Sequence, residues 1–237
     1  MTYSDLVESA PPGAREFGRA DLERLPPEVI RAGVTRMPRD ERRLYEQGDP
    51  DAGTRFVRSL FWELVYHLRP QLWDQLSQVE PIHPALLAAL PADGVRVLEV
   101  GAGSGRLTAN LAGRARMLIA TEPVEPLREM LEERVPAVAV LEATADDVPV
   151  PNGWADLTVS CAALGPEGAP FTELERCTRA GGTLALISPR QPGWFASHGW
   201  RLLSFDAAEV EVLPHDPGLE AFFGPLDPPH ELLLRTV

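Results

Sequence analysis

The chain has no lysine: all 22 of its basic residues are arginine. A P-loop is thereby excluded, because that loop needs a lysine after its last glycine to reach the phosphates. Cysteine is almost absent. The only two, Cys161 and Cys177, are spaced for neither a zinc site nor a dense disulfide framework. No His, Asp and Cys residues cluster at metal-ligand spacing, so no metal is expected. Long apolar runs are missing too, and no stretch reaches the length of a membrane span. The first ten residues carry Asp5 and Glu8 and lack an apolar run behind a basic start, which does not read as a secretory signal. A cytoplasmic protein without a membrane partner is the expectation.

Positive charge is also scarce. The 237 residues carry a net charge of -13. Up to Leu90, eleven arginines stand against fourteen acidic residues; beyond it, eleven stand against twenty-one. The second part is therefore strongly acidic. Such a surface repels phosphate backbones, because nucleic-acid affinity rests on cation–phosphate contacts. No nucleic-acid partner is expected, and solubility is a sufficient reason for the acidity.

What is present is enough apolar residue, 44%, for one buried core with an accessory layer. Residues 1–52 are broken by Pro11-Pro12-Gly13, Pro26-Pro27, Pro38 and Asp49-Pro50 into short helical pieces. Thr54 to Arg69 reads as a helix, with Phe56, Leu60, Leu64 and Leu68 four apart. A second helix follows from Gln71 to Val79, then a stiff connector Glu80 to Pro84 and a helix through Leu90. From Val95 the pattern changes to strands alternating with helices. Strands are expected at Val95–Val100, Met117–Thr121, Ala137–Leu141, Ala155–Cys161 and Thr183–Ser188, with helices at Leu107–Ala112, Val124–Arg134 and Pro170–Arg179. Such alternation implies a mostly parallel α/β sheet covered on both faces. The tail offers strands at Trp200–Phe205, Ala208–Leu213 and Glu231–Val237, closing the sheet with an antiparallel pair. The expected division is an N-terminal helical extension or lid, 1–90, and a ligand-binding α/β domain, 91–237.

The sharpest feature is Glu99-Val100-Gly101-Ala102-Gly103-Ser104-Gly105-Arg106, a buried strand running into a glycine turn and then a helix. Gly101 and Gly103 let the backbone turn tightly and approach a ligand, and Gly105 lets the helix start beside the strand. A dinucleotide fold wants Gly-x-Gly-x-x-Gly, and here Arg106 holds the place of the third glycine. Glu99 before the turn would sit poorly beside phosphates and well beside a cationic amino acid moiety. Glu122 follows the second strand 23 residues past Glu99. That is where a carboxylate can accept both hydroxyls of a ribose. The acidic loop Ala143 to Pro149 follows the third strand, where a backbone N–H and a carboxylate can read an adenine.

In order, these blocks resemble the class I S-adenosylmethionine (SAM)-dependent methyltransferases. Glu99 to Gly105 is similar to their first motif, and Glu122 to their second-strand acidic residue. Ala143 to Asp156 resembles the segment before their fourth strand, and Thr178 to Gly182 the turn before their fifth. The resemblance covers Val95 to Pro189. It implies a Rossmann-like, mostly parallel seven-stranded sheet with helices on both faces and an antiparallel C-terminal strand. It also implies that Gly101 and Gly103 line the methionine portion of SAM, that Glu122 holds the ribose, that Ala145 and Asp146 frame the adenine, and that Glu99, Ala102, Gly105 and Pro123 belong to the same cofactor site. Ser160 and Cys161 would lie under the methionine. Thr144 departs from the pattern, since many relatives carry Asp or Asn there. The Asn/Asp-Pro-Pro-Tyr/Phe motif of planar-amine methylation is missing after the fourth strand.

The function this implies is methyl transfer from SAM to an oxygen or nitrogen of a small-molecule acceptor, as in natural-product biosynthesis. Because the sulfonium is already activated, the protein's task is alignment and exclusion of water. A hydroxyl acceptor also needs a base, for which His198, His83 and Tyr66 are the candidates. Trp62, Tyr66, Arg69 and Trp73 could roof an acceptor or simply be core. The alternatives are a SAM-binding methyltransferase fold doing non-methylating chemistry, such as cyclisation or rearrangement, and a SAM-binding module without turnover. A nicotinamide oxidoreductase is disfavoured by Arg106. A homodimer is left open.

Overall fold

The structure, a computed structural model, describes residues 2–166 and 171–237. It divides into two compact units. One comprises Met1–Leu76 with Pro214–Leu226, the other Ser77–Leu213 with Asp227–Val237.

The first unit is helical. Its helices include Pro27–Arg36, Arg39–Glu46, Pro50–Ser59 and Phe61–Leu68, together with Pro217–Phe223 from late in the chain. Proline sits in the first turn of several, as at Pro27 and Pro50, where its missing N–H costs nothing. The stretch expected as one helix from Thr54 to Arg69 is two, broken at Leu60. The apolar face of that stretch is buried as its four-residue spacing requires, with Phe56, Leu60 and Leu64 at most 1% exposed. Phe222 and Phe223 pack on Phe61. Phe222 also lies over Gly13, where a Cβ would come within 2.4 Å of its ring.

The second unit is a seven-stranded sheet. Its strands are β1 (Arg96–Val100), β2 (Met117–Thr121), β3 (Ala139–Leu141), β4 (Ala155–Cys161), β5 (Thr178–Ile187), β6 (Arg201–Ser204) and β7 (Glu231–Thr236). The order across the sheet is β3-β2-β1-β4-β5-β7-β6. The first five strands are parallel, and β7 runs antiparallel between β5 and β6. One face is covered by helices Pro84–Ala89 and Arg106–Leu111, whose Leu86, Leu107 and Leu111 pack on Val97, Leu157, Ile187 and Leu232. The other face carries Leu174, Cys177, Phe195 and Trp200 against Leu98, Leu184, Leu186 and Leu233. This two-sided cover is why the strands read as nearly continuous apolar runs. Among the described residues no helix is long and apolar enough to cross a membrane.

Three expectations need correction. The units part inside helix Pro70–Val79 instead of at residue 90, because Leu86 and Leu90 belong to the core of the sheet. The strand expected at Ala208–Leu213 is a short 3₁₀ turn, Ala207–Glu209, capped by Asp206 Oδ1 on the N–H of Ala208. The helix expected from Pro170 to Arg179 runs from Phe171 to Cys177; Pro170 lies outside the described residues.

Chain order reverses between β1 and β4: β2 and β3 are added on one side, β5 on the other. Ligands of open α/β sheets bind at the carboxyl ends of the strands flanking such a reversal. At the opposite, amino edge, Asp156 accepts from the N–H of Arg96 at 2.8 Å and from Arg179 Nε at 2.6 Å, tying β1, β4 and β5. The backbone N–H and the two guanidinium groups hold its carboxyl down to about 2. Its contribution to stability is therefore present above about pH 4 and is lost as the pH falls toward 2. Asp156→Asn is expected to cost about 1–2 kcal/mol at pH 7 and to flatten this acid limb, as measured by urea unfolding between pH 2 and 7.

Candidate functional site

The turn after β1 lies at the reversal point. Gly101, Gly103 and Gly105 all have positive φ, at 70°, 57° and 96°. Side chains rarely adopt such angles, and space is short as well: a Cβ on Gly101 would stand 2.9 Å from that of Ala163, beyond β4. Gly101 and Ala102 donate their N–H groups to Thr121 O at 3.0 and 2.9 Å, so the turn is tied to the end of β2. Arg134 donates to Ser104 O from the helix Glu125–Arg134.

Glu122, one residue past β2, is 5% exposed. Its Oε2 accepts from Gly103 N at 2.8 Å and its Oε1 from Val124 N at 2.9 Å. Each oxygen keeps a second lone pair for a ligand hydroxyl. Burial raises its pKa, and the two N–H donors and Arg128 oppose that. Pro123 beside it is exposed.

Glu99 is 1% exposed, and burial pushes its carboxyl up to about 8, with the nearby charge of Glu122 adding to the rise. Thr108 and Arg106 oppose it, yet no hydrogen bond of good geometry closes on Glu99 Oε2 or Thr108 Oγ1. Ser160 Oγ, near the end of β4, is likewise buried without a partner among the described residues. Buried polar atoms are normally satisfied, so orphans gathered at a ligand edge point to a ligand.

Two groups that sequence reasoning assigned no role join the rim. Arg106 reaches from the first residue of its helix to within 3.9 Å of Cys161 Sγ and lies 3.4 Å from Glu80 Oε2. Glu80 Oε1 accepts from Asp227 N at 2.8 Å. Burial raises the pKa values of Glu80 and Cys161. Arg106 was visible in the motif as a departure; Glu80 carried no signal. The acidic loop is pinned as well. Arg176 donates to Val148 O, Val150 O and Asn152 Oδ1 at 2.7, 2.8 and 2.9 Å, while Glu173 accepts from Val148 N at 2.9 Å. Ala145 is half-buried in this loop and Asp146 is exposed.

The candidate bases fare differently. His198 is misplaced for the role. Because β6 runs parallel to β5, the residues just before it lie at the amino edge, about 13 Å along the strands from the glycine turn. There its ring stacks on Trp194, 3.8 Å between centroids. His83 is at the carboxyl side, but its Nδ1 accepts from Ala85 N at 3.1 Å and caps helix Pro84–Ala89. Tyr66 belongs to the helical unit, where its ring engages Trp62 and Trp73 at 6.2 and 5.0 Å. Among the described residues no three His, Cys, Asp or Glu side chains gather as a metal site.

Comparison with known proteins agrees with this geometry. Residues 98–186 match the methyltransferase domain family. An uncharacterized methyltransferase of Mycobacterium tuberculosis is 33% identical over 101 residues, 41% of each chain. The chloroplastic 2-methyl-6-phytyl-1,4-hydroquinone methyltransferase of Arabidopsis thaliana is 24% identical over 183 residues, 68% of this chain and 53% of that one. The ribosomal RNA small subunit methyltransferase G of Mycobacterium marinum is 28% identical over 155 residues, 62% and 68% of the two chains. The chain thus spans about two-fifths of the length of the first of these relatives. The methyltransferase solved with the Trm112 activator of Haloferax volcanii shares the fold, at a TM-score of 0.50 and 17% identity, over 72% of this chain and 92% of that one. Residues 98–186, which carry the glycine turn and Glu122, thus match a methyltransferase domain on a sheet with the fold of that solved structure.

The raised carboxyl of Glu99 carries a sign. Its protonated form is favoured in the fold, so its contribution is full below about pH 4.5 and is lost as the pH rises through 8. The urea midpoint of the ligand-free protein is expected to fall between pH 5 and 9, and Glu99→Gln to remove most of that slope.

Proposed function

We propose that this protein transfers the methyl group of SAM to an oxygen or nitrogen atom of a small-molecule acceptor. The observation that carries the reading is the glycine turn tied to Glu122 at the reversal point, with the unpartnered Glu99 oxygen beside it. The residues present suit the cofactor. Gly101, Ala102, Gly103 and Gly105 would follow its methionine portion, with Ser160 and Cys161 beneath. Glu122 would hold the ribose hydroxyls beside Pro123, and Ala145 and Asp146 would frame the adenine. The group bound there supplies a methyl already activated on a cationic sulfur. Acidic groups at Glu99 and Glu122 favour such a cation and offer no positive partner to a phosphate chain.

The relative from Mycobacterium marinum is named for ribosomal RNA. A small acceptor is favoured here because a net charge of -13 repels a phosphate backbone. The protein's own contribution to the reaction is positional: it aligns the attacking atom with the methyl and keeps water away.

Calorimetry with S-adenosylhomocysteine (SAH) on stripped protein tests the pocket, and transfer of labelled methyl to small acceptors, with ribosomal RNA as the counter-substrate, tests the reaction. Glu122→Ala is expected to weaken SAH binding by about tenfold or more, since it removes two charge-assisted acceptors. Binding unchanged by that substitution, or label found only in RNA, would refute the proposal.

A further inference from the structure

Three histidines belong to the sheet unit: His83, His198 and His230. A base for a hydroxyl acceptor must lie at the carboxyl edge and present a ring nitrogen with a free lone pair. His83 fails the second requirement: with Nδ1 accepting from Ala85 N, the ring proton is on Nε2, 3.5 Å from Glu209 Oε2. His198 fails the first, since it stands at the amino edge. His230 meets both. It immediately precedes β7, and the start of an antiparallel strand lies beside the ends of its parallel neighbours. Its Nδ1 is 2.8 Å from Pro228 O, which can only accept, so the proton is on Nδ1 and Nε2 carries the lone pair. Nε2 engages no group among the described residues.

The ring is held from several directions. Ser188, just past β5, has φ 39°, an angle a non-glycine residue rarely adopts. In that conformation its Oγ accepts from His230 N and Glu231 N at 3.0 and 3.2 Å. Phe205 donates its N–H to His230 O at 3.0 Å, fixing the backbone that carries the ring. Asp227 Oδ1 faces Nδ1 at 3.6 Å. The Asp227 N–H is in turn held by Glu80, Glu80 by Arg106, and Arg106 reaches Cys161. A continuous chain of polar contacts thus joins His230 to the end of β4. The register agrees: Cys161 pairs with Ile187, and Ile187 with Leu232. Leu232 is level with Cys161, so His230, two residues earlier, stands two strands across and about 12 Å from it, beyond the strand ends.

Resting on the methyl-transfer reading, we propose that His230 is the catalytic base and that the acceptor is a small hydroxyl compound. The acceptor oxygen forms its bond to the methyl carbon as the carbon–sulfur bond breaks, and that bond's electron pair stays on sulfur as SAH. Nε2 of His230 takes the hydroxyl proton, leaving a methyl ether, neutral SAH and an imidazolium. Charge and atoms balance without a further reactant. Pro228 O and Asp227 both face Nδ1–H, and so stabilise the cation that forms.

The test uses the full chain with catechol as the hydroxyl probe and benzylamine as the amine probe, labelled SAM as donor and SAH calorimetry as control. Label is expected in catechol. His230→Gln should lower that rate by about a hundredfold or more, with SAH affinity changed by less than about twofold. Added imidazole should restore part of the rate of His230→Ala, which a merely structural loss would not allow. Nitrogen-15 spectra of the ligand-free protein should show the proton of His230 on Nδ1. A rate retained within about fivefold in His230→Gln, label in benzylamine alone, or a proton on Nε2 would each overturn the assignment. SAH binding with no catechol methylation would overturn it too while leaving the cofactor pocket standing. Loss of SAH binding by the unaltered protein would instead defeat the reading beneath it.

Discussion

The hydrogen bond from Gly103 N to Glu122 Oε2 is the contact on which the site's geometry depends. A glycine turn is the most permissive piece of backbone a chain can have, and permissiveness alone does not make a cradle. Here the carboxylate from β2 fixes the middle of the turn, while Thr121 O fixes its start. The same carboxylate accepts from Val124 N, so one buried side chain sets the exit of β1 against the entry to the following helix. Its burial is costly for a charge, and the two charge-assisted bonds offset that cost. The cradle and the acid proposed to hold a ribose are therefore one structure.

Around it lies an imbalance of charge. Glu80, Glu99 and Glu122 are buried or nearly so on this rim, and Arg106 reaches in among them from its helix. Burial raises the pKa of all three acids, so the empty site disfavours their charged forms relative to water. A cationic ligand reverses that preference by supplying the missing positive charge. This is the electrostatic difference between a pocket for a sulfonium nucleoside and one for a dinucleotide, and it follows from which side chains precede and follow the turn.

Much of this was legible in the sequence, and the reason is locality. Glu99, the three glycines and Glu122 lie at the ends of consecutive elements, so their spacing along the chain translates directly into spacing at the sheet edge. The strands were readable because both faces are covered. What failed was whatever depends on partners far apart in sequence. His198 looked suitable because it follows the fifth strand, but its helix carries the chain back to the wrong edge before β6 begins. Ala208–Leu213 has a strand's composition, yet the place beside β5 is taken by β7. His230 and Glu80 gave no signal, since their partners are brought together only by the antiparallel return of the final strand.

The helical unit contains one feature with a consequence for synthesis. Its aromatic core takes Phe222 and Phe223 from a segment lying between β6 and β7. On the ribosome, residues 2–76 emerge before the sheet but meet these two rings only after nearly the whole sheet has been translated. Until then the aromatic core of the helical unit lacks both of them. Shortening the protein from the N-terminus would strand the helix Pro217–Phe223, and ending it after β6 would remove both that helix and the strand that completes the sheet.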